Sequence, residues 1–271
     1  VLLLHPFLMS QLVWRTVAQQ LAATGRYEVF APTMAGHNGG PDAGTWFLGS
    51  SLLADHVERQ LDDLGWNTAH IVGNSLGGWV AFELESRGRA RTVTAIAPAG
   101  GWTRWSPTKF ELIGKFVMGW PVWALTRWLG ARTLHLPFSR RLAALPISGS
   151  PGGLGESELL AIIDDVSHCP AYVRLLVKSL VLPGLIQLAQ TAVPTHLVLC
   201  EKDRVVPPRR YSRHFTTHLP DNTAVTMLDG VGHIPMFEAP ERITEVITAF
   251  LDQHRLDQHR RPLRAVDPPA S

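Results

Sequence analysis

The sequence predicts an α/β protein: a mostly parallel β-sheet with helices on both faces. Two observations carry this. Short, continuously apolar runs rich in β-branched residues alternate with segments whose apolar residues recur at helical spacing, as in parallel sheets buried on both sides. One such run, His70-Ile71-Val72, also passes directly into a glycine-rich turn and a helical segment.

The elements follow in order. Val1–Leu4 is a strand by composition, and Gln11–Ala23 a helix with Val13, Val17 and Leu21 in one stripe. Tyr27–Ala31 reads as strand. Ser51–Leu64 reads as helix, with Ser50 or Ser51 as cap and Leu53, Val57, Leu61 and Leu64 on one face. Ala69–Val72 is strand, Leu76–Ser86 helix and Val93–Ala97 strand. Two further strands, His196–Cys200 and Ala224–Leu228, precede a helix over Pro240–Leu251, whose Ile243, Val246, Ile247 and Phe250 face one way. Right-handed crossovers place the carboxyl ends of all these strands along one edge, where ligands bind.

Between the strands lies an interruption over 101–191 with helical spacing and no strand alternation. It holds five of the nine tryptophans, at 102, 105, 120, 123 and 128. The expected organisation is therefore a core of 1–100 and 192–254, with 101–191 as a helical lid over the strand ends. Gly149 to Gly153 is a joint within the lid. A direct repeat, Leu251-Asp252-Gln253-His254-Arg255 and Leu256-Asp257-Gln258-His259-Arg260, reads as a duplication extending a helix end rather than a metal site. The stretch 255–271, with Pro262, Pro268 and Pro269, is expected to be a disordered tail.

Composition narrows the function classes. With 45% hydrophobic and 18% charged residues among 271, the chain can bury a large core. A formal charge of +2 gives no reason to expect nucleic acid. Cys169 and Cys200 sit among apolar neighbours and read as buried free thiols. The most apolar stretch, 116–130, contains Pro121 and Arg127 and falls short of the roughly 20 residues needed to cross a membrane, leaving an interfacial helix as the only membrane reading. The start lacks a secretory pattern, so a cytoplasmic location is the default expectation. No metal-ligand spacing, P-loop or dinucleotide fingerprint occurs, and no cofactor is expected.

The chemistry-bearing pattern is Gly73-Asn74-Ser75-Leu76-Gly77, a G-x-S-x-G at a strand-to-helix junction. A serine on so sharp a turn has strained backbone angles and needs small neighbours two residues either side, and the helix beginning there aims N–H groups at a developing oxyanion. A serine hydroxyl needs a base. Among twelve histidines, His233 is the best candidate, because Gly230-Val231-Gly232-His233 follows the last apolar strand. The base needs an orienting carboxylate. Asp203, just beyond the strand ending at Cys200, is preferred over its neighbour Glu201, and Asp229 is too near His233 in sequence.

The serine–aspartate–histidine order of 75, 203 and 233, the serine elbow, the acid in Asp203-Arg204-Val205-Val206-Pro207 and the Gly-x-Gly-His before a final helix resemble the α/β-hydrolase superfamily over residues 1 to about 251. The resemblance implies the α/β-hydrolase fold with an inserted helical lid, and Ser75, Asp203 and His233 as catalytic triad. It is closest to the group of esterases, lipases, C–C bond hydrolases, haloalkane dehalogenases and epoxide hydrolases. The last two use an aspartate nucleophile, and Ser75 argues against both. The family's oxyanion donors would be the N–H groups of Leu76 and of Phe7, in His5-Pro6-Phe7 where the family usually has His-Gly. His37, on another glycine-rich loop, would shape the site without chemistry. The family also has two strands ahead of the first one seen here. The function implied is a serine esterase acting on a small hydrophobic ester. A C–C bond hydrolase is the alternative, although Ile234 stands where those enzymes carry tryptophan, and a non-catalytic ligand receptor is the second.

Overall fold

The computed structural model describes residues 1–135, 148–149, 154–181, 184–185 and 187–260. Five strands, β1 (Leu2–Leu4), β2 (Ala69–Asn74), β3 (Ala90–Ile96), β4 (Thr195–Cys200) and β5 (Ala224–Leu228), form one sheet in which spatial order equals chain order. Every pairing is parallel. The register sets Leu4 beside Gly73, Asn74 beside Ile96 and Cys200 beside Leu228. One edge of the sheet therefore receives the loops that contain Phe7, Ser75, Asp203 and His233.

The strands hold together because both faces are apolar. Leu2, Leu3, Leu4, Ile71, Val72, Val93, Leu197 and Val198 are fully buried, each such side chain contributing about 1.5–3 kcal/mol. The helices are α1 (Arg15–Ala23), α2 (Ser50–Asp63), α3 (Leu76–Ser86), α4 (Pro107–Leu129), α5 (Glu156–Ser167), α6 (Ala171–Val181), α7 (Pro208–His218), the short α8 (Pro235–Glu238) and α9 (Pro240–Arg260). α3 packs against β1, β2 and β3, and α1 packs on α9.

Helices α4 to α6 are inserted between β3 and β4 and are pinned to the core by polar contacts. The Tyr211 hydroxyl donates to the Thr108 carbonyl at 2.8 Å. Lys115 Nζ donates to the carbonyls of Arg204 (3.0 Å) and Val205 (3.1 Å). Asp165 accepts from the Ser10 N–H at 2.8 Å and from Asn38 Nδ2 at 3.1 Å. The Ala171 N–H reaches the Gly36 carbonyl at 2.8 Å. Among the described residues, no helix is long and apolar enough to cross a membrane.

Several expectations change. Tyr27–Ala31 does not form a strand. Only Phe30 bridges to Leu2, because its partner is a three-residue edge strand and Pro32, lacking an N–H, ends the pairing. Neither serine caps α2. Gly49 holds that position, and Ser50 Oγ instead donates to Glu83 Oε1 at 3.0 Å. The first turn over Gln11–Trp14 is a 3₁₀-helix, begun where Ser10 Oγ accepts from the Leu12 N–H. The last helix passes Leu251 to Arg260, so the repeat extends a helix and residues 255–260 are not tail; 261–271 lie outside the described residues. Of the Gly149–Gly153 joint, only Gly149 is described.

Buried histidines give the fold a pH dependence. His37, His70 and His196 are pushed down to about 4, first of all by burial, which penalises the charged imidazolium. Between that value and the ordinary pKa near 6.5, the unfolded chain binds protons that the folded chain refuses. Stability is then complete above about pH 6.5 and is lost as the pH falls toward 4. The thermal midpoint is expected to fall from pH 7 to 5, each histidine withdrawing about 1–2 kcal/mol. A midpoint unchanged at pH 5, measured by differential scanning calorimetry, would contradict neutral buried imidazoles.

Candidate active site

The site begins with the turn at Ser75. Its backbone adopts φ 54° and ψ −112°, a strained combination for a side chain with a Cβ. Backbone hydrogen bonds hold it there. The Ser75 N–H donates to the Ile96 carbonyl at 2.9 Å, and the Ser75 carbonyl accepts from Ala99 at 2.9 Å and Trp79 at 3.2 Å. The flanking glycines are required by contact. A Cβ on Gly73 would lie 2.2 Å from the Gly77 carbonyl oxygen, and one on Gly77 would lie 2.2 Å from that of Leu4. The turn is thus wedged between β1 and α3, with the hydroxyl held at the sheet edge.

His233 and Asp203 meet in a buried pair. His233 Nδ1 and Asp203 Oδ2 are 2.6 Å apart, and both side chains are almost fully enclosed. Asp203 Oδ1 accepts from the N–H groups of Val205 and Val206, each at 2.8 Å, which fixes the plane of the carboxylate. An ionised carboxylate only accepts, so Nδ1 carries the hydrogen and the free lone pair lies on Nε2, the nitrogen that can take up a proton. Asn74 brings this loop alongside Ser75: its Nδ2 donates to the His233 carbonyl at 3.2 Å and to the Ile96 carbonyl at 3.0 Å. Glu201, the rival acid, instead accepts from the Gly230 N–H at 2.8 Å and faces Lys202.

Two backbone N–H groups remain available at this edge. Leu76 is the first residue of α3, so its N–H has no partner within the helix. Phe7 lies in the turn after β1, where its N–H is bonded to no other described residue. Beneath that turn His5 is fully buried. Its Nε2 accepts from the Met34 N–H at 2.9 Å, and its Nδ1 donates to the Pro6 carbonyl at 2.9 Å. Burial first, and His37 second, keep His5 well below the ordinary imidazole range. It is a neutral brace for the Phe7 turn. His37 lies edge-on to both His5 and Phe7, at 4.8 and 6.1 Å between ring centres, supporting the turn as the sequence implied.

Ser75, Leu76 and Phe7 open into one cavity with an empty volume of about 650 Å³, its mouth included. Its walls are almost wholly apolar. Trp79 comes from α3, Trp102 from the start of the insertion, Leu112, Ile113 and Phe116 from α4, and Leu175 and Leu176 from α6. Such a space takes a small apolar molecule and sets it against the wall that carries Ser75, Leu76 and Phe7. The tryptophans of the insertion divide between the inside and the outside. Trp102 lines the cavity, whereas Trp105 and Trp128 are 76% and 81% exposed; the side chain of Trp123 lies outside the described residues.

Two contributors had no signature in the sequence. Asn74 is the variable position of the elbow pattern, and only the fold shows that it holds the His233 loop. Glu238 accepts from the N–H groups of Gly232 and Gly149, tying that loop to the middle of the insertion.

A parallel sheet of this connectivity, with a serine elbow and a buried histidine–carboxylate pair at its carboxyl edge, defines the α/β-hydrolase architecture. The chain belongs to the alpha/beta hydrolase family, whose pattern matches residues 1–246. Hydrolysis is the class of reaction that this membership supports. Over 206 residues, the chain is 69% identical to the epoxide hydrolase EphH of Mycobacterium tuberculosis, a match covering 76% of this chain and 96% of that protein. In fold it is similar to a thermophilic esterase from Thermogutta terrifontis (TM-score 0.72, 20% identity, covering 93% of this chain and 89% of the other). It is also similar to a putative lipase of Acinetobacter baumannii (TM-score 0.75, 18% identity, 95% and 84%).

The close approach at Gly77 gives a direct test. Gly77→Ala should destabilise the protein by about 3 kcal/mol or more, because backbone, not a flexible side chain, meets the added methyl group. Gly25→Ala, where nothing lies within 4 Å and φ is +65°, should cost only about 1 kcal/mol. Urea denaturation checks the pair, and equal losses would show that the wedge at the elbow is not tight.

Proposed function

We propose that this protein is a serine hydrolase that cleaves small carboxylic esters with an apolar acyl or alcohol part, using Ser75, His233 and Asp203. The observation that carries this reading is Ser75 itself, a strained serine at the start of α3, whose neighbour Asn74 is bonded to the loop of a buried imidazole with its Nδ1 engaged by a carboxylate. His233 Nε2 takes the hydroxyl proton as Ser75 Oγ attacks the carbonyl carbon. The N–H groups of Leu76 and Phe7 receive the oxyanion. His233 then protonates the leaving alcohol, and water, activated by the same imidazole, releases the acid from Ser75. Asp203 holds the imidazole and stabilises its charged form. Residues 101–191 act as a lid on a core of 1–100 and 192–254.

A second reading, epoxide hydrolysis, is favoured by the 69% identity to the mycobacterial protein of that name. Chemistry constrains how this site could perform it. Attack by Ser75 Oγ on an epoxide carbon would leave an alkyl ether, with no carbonyl at which water could release it. The route open to these residues is direct. His233 removes a proton from water as the water oxygen attacks one epoxide carbon, the ring C–O bond breaks, and the alkoxide is bound by the two N–H groups before taking the proton back as a diol.

The two readings separate on Ser75→Ala. Ester hydrolysis should fall by about 10³-fold or more while the fold persists, and fluorophosphonate should add one mass increment to the parent and none to the variant. A labelled variant, or esterase activity surviving the substitution, would refute the serine route. If instead a terminal alkyl epoxide is hydrolysed equally by parent and variant, the direct-water route is the operating one.

The apolar cavity predicts selectivity. kcat/KM for p-nitrophenyl esters should rise from acetate to about hexanoate, close to fourfold for each methylene at about 0.8 kcal/mol, and then fall as the cavity fills. A succinate monoester should be poor, because no cationic side chain among the described residues lines the cavity. Strict acetate preference would rule out the apolar pocket. Asp203→Asn should be strongly impaired in the same assay and Glu201→Gln should resemble the parent; the reverse order would reassign the acid.

A further inference from the structure

The outer face of α4 is apolar as well as its inner one. On α4 the exposed residues include Phe110, Val117, Met118, Pro121, Ala124, Leu125 and Trp128. From Val117 on they are spaced three or four apart or lie next to one another, and Phe110 lies about two turns before Val117, so they form one apolar stripe along the helix with Arg127 at its end. Ahead of it, Trp105 stacks on Phe110 at 6.4 Å. Lys109 Nζ donates to the Leu180 carbonyl at 2.8 Å and so joins this end of α4 to the last turn of α6, where Val177, Leu180 and Val181 are exposed. α6 in turn holds the loop carrying Trp46 and Phe47, through Arg174 Nη1 to the Thr45 carbonyl at 3.3 Å. Phe47 is 72% exposed and Met118 82%. Exposed apolar groups scattered singly need no explanation, but a linked band of this extent does.

The band is also edged with one sign of charge. Arg104 lies over Trp105, Arg174 over Trp46 and Lys178 over Phe47, each 5.4–5.8 Å from the ring centre. α6 contains no acid. The single acid of α4, Glu111, is engaged with Lys115 and Arg210. The acid of the Trp46 loop, Asp42, accepts from the Gly44 N–H. A second copy of the chain related by a two-fold axis would set these cations against their own kind. An anionic lipid surface is complementary to both features: the headgroups meet the basic side chains, and the exposed rings enter the interfacial layer that tryptophan favours.

We infer that the outer face of α4, the end of α6 and the Trp46–Phe47 loop form a docking surface for anionic bilayers. The opposite faces of α4 and α6 line the cavity above Ser75. Docking would therefore place the walls of the cavity against the apolar layer. The inference goes beyond the assignment of the reaction and does not depend on it.

Flotation of the whole protein with vesicles tests it by binding rather than by turnover. The probes are vesicles of equal parts phosphatidylglycerol and phosphatidylcholine, and vesicles of phosphatidylcholine alone. The parent should float with the anionic vesicles, and do so about tenfold less well with the neutral ones or in 0.5 M salt. The triple variant Trp105→Gln, Met118→Gln, Trp128→Gln and the double variant Arg104→Gln, Lys178→Gln should each lose about tenfold or more in partitioning. None of these residues lines the cavity, and far-UV circular dichroism with a thermal midpoint equal to the parent's verifies that the variants are folded. A parent that stays in solution with both vesicle types, or variants that float as well as it does, would overturn the inference. So would sedimentation velocity showing a dimer that the triple variant dissociates, because the face would then be a contact between copies.

Discussion

Where α3 begins, Gly77 lies so close to the Leu4 carbonyl that there is no room for a side chain. The rest of the site follows from that contact. It sets the end of β1 against the start of α3, which brings the Phe7 turn to the same place as the Leu76 N–H. It also forces Ser75 into backbone angles that few residues adopt, a strain of order 1–3 kcal/mol. The hydrogen bond from the Ser75 N–H to Ile96 and that from the Ala99 N–H to the Ser75 carbonyl anchor the strained residue to the sheet and the loop beyond β3. The strain persists because the parallel sheet on one side and the helix on the other leave no alternative path for the chain.

The histidine side of the site is held by different means. Asp203 is fixed by two N–H groups two and three residues along its own loop, so the carboxylate is oriented before it meets His233. Asn74 and Glu238 locate the His233 loop from two directions, one from the elbow and one across to the insertion. An imidazole in this setting has its tautomer decided by the protein rather than by solvent.

Much of this was legible in the sequence, because it is local. G-x-S-x-G reports a backbone constraint within five residues, and apolar continuity reports a strand buried on both faces. The boundaries of α3 and β5 follow from such patterns alone. Residues 27–31 show the opposite case. Their composition suits a strand, but strand formation depends on a partner far away in the chain, and the partner is only three residues long. Ser50 has the residue type of a helix cap, yet Glu83, 33 residues distant, takes its hydroxyl. The role of Asn74 could not be read because it is a contact to a carbonyl 159 residues away. The tryptophans of the insertion were harder still. A helix apolar on two faces shows no clear periodic contrast, so sequence cannot say which rings point to the cavity and which to the outside.

The same insertion reaches the reaction side of the molecule at Lys115, whose ammonium bridges the carbonyls of Arg204 and Val205. Those two residues immediately follow Asp203, and the Val205 N–H is one of the donors that orient its carboxylate. The walls of the cavity and the carboxylate beneath His233 are therefore fastened to each other. This limits how far the insertion behaves as an interchangeable module. A foreign segment grafted between β3 and β4 could bring a new pocket shape, but without a cation at this point it would release the Asp203 loop from above. Recombining caps in this architecture is thus a matter of matching one ammonium to two carbonyls as well as matching the ends of the graft.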